Sequence, residues 1–261
     1  MPSHSPDFRL DGYEAVNPRV QKAFWQHIDI NQNDLIRLAD HHSEDGRHSH
    51  YVLHDQSVTW GIPGEPQLIA LHLQRDPAER TFRFEHATLP LASMAQSWLI
   101  ARGCPPDAIR LPGDMGTTAA DDATRALEER LKGDGDSYAL LTSYTDDHHT
   151  SHQITVLLRA VDEEEAQPFR VLLEQADLTP FTHTLREGGF DTFKEATTWW
   201  ESHWRGEGPP LPAISPPARR TSAPGLPPAG PIHHPHASPR TLNSCPWSPS
   251  RPRRPQDVPA D

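Results

Sequence analysis

Sixteen of the 28 prolines in this 261-residue chain lie at or beyond Pro209, among them Pro210, Pro216, Pro217, Pro227 and Pro228. Large aliphatic residues nearly vanish over the same stretch. Such a segment buries too little apolar surface to offset a backbone ordering cost of roughly 1–2 kcal/mol per residue. Residues 208–261 are therefore expected to form a disordered Pro/Arg-rich tail with polyproline II character, so the fold must be built from what precedes it. Charge breaks at the same place. Six arginines against two aspartates give the tail +4, which leaves −16 for the body of a chain whose formal net charge is −12. Three readings of the tail compete: a passive extension, a ligand for a proline-binding or anionic partner through the PxxP string Pro252–Pro255, and an out-of-frame product of GC-rich DNA.

The body is polar. No run approaches the ~18 apolar residues of a membrane helix, and Met1 to Tyr13 lacks the apolar core of a secretory signal. The two cysteines, Cys104 and Cys245, make neither a disulfide framework nor a zinc site, so a cytoplasmic setting is expected. A body at −16 repels polyanions, which argues against direct nucleic-acid binding and favours basic partners.

Only three of the 24 basic residues are lysine (Lys22, Lys132, Lys194), in a chain rich in Ala and Pro. In this bias, over residues 13–207, the chain resembles the uncharacterised conserved proteins of high-GC actinobacteria, a resemblance that implies no activity.

Along the body, Asn17-Pro18 reads as a helix start, with Val20, Ala23, Phe24 and His27 on one face. Leu35, Leu38, Ala39 and His42 have helical spacing and suggest a second short helix. Strand-like runs follow at His50–His54, Ser57–Ile62, Gln67–Gln74 and Thr81–His86, and a helix through Leu91, Met94 and Trp98 stops at Gly103. A helix is expected from Thr118 to Lys132. Strands are expected at Tyr138–Tyr144, Gln153–Val161, Phe169–Gln175 and Phe181–Arg186. Gly188-Gly189 then turns into a last helix, opened by a Thr192/Glu195 capping box and facing inward through Phe193, Ala196, Trp200 and Trp204.

The fold expected is α+β, with antiparallel sheets, helices on one face, and two pseudo-repeated ββββα modules. The closing helices match at an offset of 102 residues, Trp98 falling on Trp200. The boundaries are a flexible N-terminus (1–15), a first module with two leading helices (16–116), a second module (117–207) and the tail (208–261).

Two clusters stand out among the 17 histidines. His41, His42, His48 and His50 lie near Asp40, Glu44 and Asp45. His148, His149 and His152 lie near Asp146 and Asp147, where a hairpin loop would bring imidazole and carboxylate toward one divalent ion such as zinc. Solvated polar loops are the favoured reading of both clusters, since adjacent strand residues point to opposite faces and no HExxH spacing occurs. No nucleophile elbow, phosphate loop or dinucleotide fingerprint is present. Trp199, about a hundred degrees from Trp200 on its helix, and Trp25, opposite Phe24, are candidate interaction anchors. The function expected is a non-catalytic protein that binds another macromolecule, with no cofactor. The alternative is a metal-dependent enzyme built on His148, His149, His152 and Asp147.

Overall fold

A computed structural model describes residues 5–214 other than 62–63, 114–115, 134–136 and 149–150. Asn17 opens the first helix by accepting a hydrogen bond from the Val20 amide, and Pro18 occupies its first position, so α1 runs Pro18–His27. Before it lies a two-residue strand, β1 (Glu14–Ala15). After it come β2 (Leu35–His42), β3 (His48–Asp55), a short α2 (Gln56–Gly61), β4 (Leu68–Asp76), β5 (Thr81–Leu89) and α3 (Ala92–Ile100). The second half contains β6 (Thr118–Ala119), α4 (Asp122–Gly133), β7 (Tyr138–His148), β8 (Ser151–Ala160), β9 (Phe169–Asp177), β10 (Thr182–Phe190) and α5 (Phe193–Trp204). The sheets run β1-β5-β4-β3-β2 and β6-β10-β9-β8-β7. Both are antiparallel except for the two-residue strand at one edge, which runs parallel to its neighbour. The protein is α+β.

Apart from α2, which occurs only in the first half, the halves repeat one module, βαββββα, down to single hydrogen bonds. Glu14 and Val16 donate to the carbonyls of Arg80 and Phe82, as Thr118 and Ala120 donate to those of Phe181 and His183. Asn17 caps α1 by accepting from the amide three residues on, and Asp121 does the same for Thr124. The β2–β3 ladder has a bulge between Arg37 and Ala39; the β7–β8 ladder has one between Leu140 and Thr142. In the β4–β5 turn Asp76 accepts from Ala78 and Arg80 has φ 51°. In the β9–β10 turn Asp177 accepts from Thr179 and Phe181 has φ 57°. A non-glycine residue at positive φ is uncommon, so its recurrence at the same turn position marks one design used twice.

Each sheet is covered on both faces rather than one. On the first, Tyr51, Leu53, Leu71 and Phe82 form a core with Phe24 of α1. Val52 and Ala70, on the opposite face, pack under Ala95 and Leu99 of α3. On the second, Val156, Leu172 and Leu185 meet Leu127 and Leu131 of α4, while Leu157 and Val171 meet Ala196 and Trp199 of α5. Double burial explains why β3 and β4 are buried at nearly every position instead of alternating. Helices α3 and α4 pack on each other and join the modules.

Several expectations are corrected. Leu35, Leu38, Ala39 and His42 lie on a strand, β2, because the spacing that mimics a helix is produced by the bulge at Leu38. Ser57 lies in α2, not in a strand. Gly188 and Gly189 lie inside β10: a Cβ on Gly188 would stand 2.6 Å from Leu211 and 2.8 Å from the Pro212 carbonyl oxygen, and one on Gly189 would displace the Gln167 side-chain end. Of the stretch expected to be flexible (1–15), the segment at Phe8 and Arg9 is packed: Phe8 is buried against Phe24 and Tyr51, and the Arg75 guanidinium donates to the carbonyls of Phe8 and Arg9.

The last helix is rotated by one residue from its expected face. Trp199, not Trp200, takes the place of Trp98, because the Thr192 cap of α5 corresponds to Leu91 at the cap of α3. Trp199 is 5% exposed and is no interaction anchor, whereas Phe193 is 52% exposed. The Trp199 indole N–H donates to the Pro209 carbonyl (3.0 Å), and Leu211 packs on the same cluster, so residues 209–211 lie against the second module. Trp25 is half exposed.

Candidate functional site

At three positions an apolar core of the first module is replaced by ionisable groups in the second. In the first, Phe24 of α1, Leu73 of β4 and Phe82 of β5 belong to one apolar core, with the rings of Phe24 and Phe82 5.2 Å apart, edge to face. The equivalent positions of the second module hold Glu128 of α4, Glu174 of β9 and His183 of β10. The ladders fix the equivalence: Phe82 pairs with Ala15 and His183 with Ala119 across the parallel edge, and Leu73 pairs with Phe84 as Glu174 pairs with Leu185. A fold that fills these positions with apolar side chains once has replaced them with ionisable groups the second time.

The replacement opens onto a cleft of about 400 Å³ lined by both modules and by the segment joining them. Leu38, Gln67 and Gln96 border it on one side, Arg110 and Thr117 on the connecting segment, and Glu128, His152, Glu174 and His183 on the other. His183, 8% exposed, bonds to Glu128 Oε1 through Nε2 (2.9 Å) and to Thr117 Oγ1 through Nδ1 (3.0 Å). Burial opposes its charged form, but the Glu128 hydrogen bond and the charges of Glu174 and Glu128 outweigh this and raise its pKa. Burial also raises Glu174, against the smaller opposing effects of His183 and His152.

The Thr117–His183–Glu128 chain has the connectivity of a nucleophile, base and orienting carboxylate. Its electrostatics work against that use. The carboxylates that raise the His183 pKa favour the protonated ring, which has no lone pair to take the Thr117 proton, and the Glu174 carboxyl lies where an acyl-transfer intermediate would need positive stabilisation.

Removing the imidazole strands two carboxylates. His183→Ala should lower stability by about 2–3 kcal/mol near pH 6. Because the folded-state pKa of His183 is raised, its contribution is full below the ordinary histidine range and is lost as pH rises through the folded value. The wild-type advantage in urea denaturation should therefore shrink at pH 9. An equal difference at both pH values would mean that His183 carries no charge in the fold.

The first histidine cluster divides. His42 bonds to Ser49 and Asp40 and packs edge-on to Tyr51. On the opposite face, His41, His50, His72 and Glu85 form a row across β2, β3, β4 and β5. The His50 and His72 rings stack at 4.4 Å and 7°, and His48 Nδ1 lies 3.1 Å from His72 Nε2. Face-to-face rings send their lone pairs outward in parallel planes, which does not bring several nitrogens onto one ion. Burial first, then neighbouring histidines, depress both His50 and His72 to about 4.

Of the second cluster, His152 lines the cleft; His149 and the side chains of Asp147 and His148 lie outside the described residues. Among the described residues, no group of three or more His, Cys, Asp or Glu side chains is placed to hold a metal ion. Cys104 is buried, with its thiol pushed up to about 11. No helix of the described residues is long and apolar enough to cross a membrane.

Sequence reasoning missed Glu128, Glu174 and His183. The available signal was a charged or imidazole residue two positions from a buried leucine on the same strand face, Glu174 after Leu172 and His183 before Leu185. Comparison with known protein families, curated proteins and solved structures finds no match to the chain.

Proposed function

We propose that the protein is a non-catalytic binding protein and that the cleft between its modules receives a group from another protein. The observation that carries this reading is the replacement of an apolar core triad by Glu128, Glu174 and His183 at equivalent positions facing a cavity. Ionic groups at core positions are seldom the most stable choice, and an open cavity beside them gives them a ligand to meet. The occupied nitrogens of His183 support binding over catalysis. The adjoining strand β7 supports a macromolecular partner: Thr145 lines the cleft, and Leu140, Leu141 and Tyr144 on the same strand are exposed.

Panning random peptides against the full chain, with counter-selection against a Glu128→Phe, Glu174→Leu, His183→Phe variant, tests the reading. Peptides that bind only the wild type are expected. Failure to enrich any, or covalent labelling of Thr117 by an acylating probe, would contradict it.

A further inference from the structure

We infer that the group received by the cleft is a single cation of the ammonium or guanidinium type, presented by a lysine or arginine side chain of the partner. This rests on the binding reading above and adds the chemistry of the ligand.

The carboxyls of Glu128 and Glu174 both line the cleft beside His183, and both nitrogens of that imidazole are already engaged, by Glu128 and Thr117. No hydrogen-bond donor among the described residues reaches the Glu174 carboxylate, although it faces the cleft. Of the other basic side chains of the lining, Arg110 pairs with Asp107 and Lys132 with Glu129, while His152 acts on Glu174 beside His183. An incoming anion would be repelled by the Glu128 and Glu174 carboxyls. A monocation supplies donors to the Glu174 carboxyl and favours its ionised form. The body charge of −16 draws such a group in from solution. Cation binding also favours ionised Glu174, so below the raised pKa of that carboxyl each binding event releases a proton.

Titration of the full chain with n-butylammonium, n-butylguanidinium and butanoate, followed by NMR shifts of the cleft amides, tests the inference. Both cations should shift those amides saturably and butanoate should not. Glu174→Gln, which keeps the side-chain shape, should weaken the cations at least tenfold. Butanoate binding, failure of both cations, or cations binding equally well to Glu174→Gln would overturn it. Cleft-specific peptides lacking Lys and Arg in the panning experiment would overturn this inference and leave the binding reading standing, whereas failure to recover any cleft-specific peptide would remove both.

Discussion

Acidification from pH 6.5 toward 4 should remove much of the protein's stability, with uptake of about two protons on unfolding beyond those taken up by carboxylates. His50 and His72 are the source. Both are 3% exposed, stacked on each other, and flanked by His41, His48, Glu85 and Arg102. A second charge in that row would stand beside the first in a poorly solvated place. Their pKa values are therefore depressed from 6.5 to about 4. The sign follows from the depression: the unfolded chain binds these protons first, so the stability they contribute is full above pH 6.5 and is lost as pH falls toward 4. Urea denaturation at half-unit intervals from pH 7.5 to 4.5 measures the slope. His72→Phe, which keeps a stacking ring without a titrating nitrogen, should flatten it. An unchanged slope in that variant would mean that other groups drive the acid response.

Trp199→Ala should cost about 3–5 kcal/mol, and Trp200→Ala less than about half of that. Trp199 fills the core between Phe190 and Ala196, stacks on His203 at 4.8 Å, and holds the Pro209 carbonyl through its indole N–H. Truncation would open a cavity and release the segment carrying Leu211 from its seat over Gly188. Trp200 packs only partly on the same cluster and borders the surface with Tyr144 and Trp204. Chemical denaturation of the two variants decides between the faces, and equal losses would contradict the rotation of α5 described here.

The contrast between these tryptophans shows where the sequence was legible. Adjacent tryptophans on one helix leave its inward face ambiguous, because Phe193 and Trp204 suggested one stripe while the cap at Thr192 and the seat of Trp98 in the other module set another. The α1 start, the capping box of α5 and the strands β4, β5, β8, β9 and β10 were readable from local chemistry. The edge strands β1, β2 and β6 were not. β2 carries a bulge that breaks period-two alternation into helix-like spacing, and β1 and β6 are two-residue strands defined only by their parallel partners.

The candidate site was illegible for a related reason. Glu128 sits among other charged residues of α4, and Glu174 and His183 look like ordinary outward positions until both faces of the sheet are known to be covered. Only the superposition of one module's register on the other shows that three core positions changed their chemistry together. The clusters dense in histidine drew attention because they are contiguous in sequence, yet rings along a strand alternate between faces. His42 and His41 accordingly part company, while His72, well separated in sequence, joins His50.

The central claim is that the ionic triad is kept for a ligand at the expense of the fold. The equilibrium stability of the triple variant Glu128→Phe, Glu174→Leu, His183→Phe, measured by urea denaturation at pH 7 in the full chain, tests it most directly. These substitutions install the side chains that the first module already uses at the same places. Replacing ionic groups at core positions by packed apolar ones is commonly neutral or stabilising, by about 1–4 kcal/mol. The account predicts a variant at least as stable as the wild type, whose cleft amides no longer respond to n-butylammonium. A variant that folds but is less stable than the wild type by several kcal/mol would show that Glu128, Glu174 and His183 hold the second module together, and would contradict the claim.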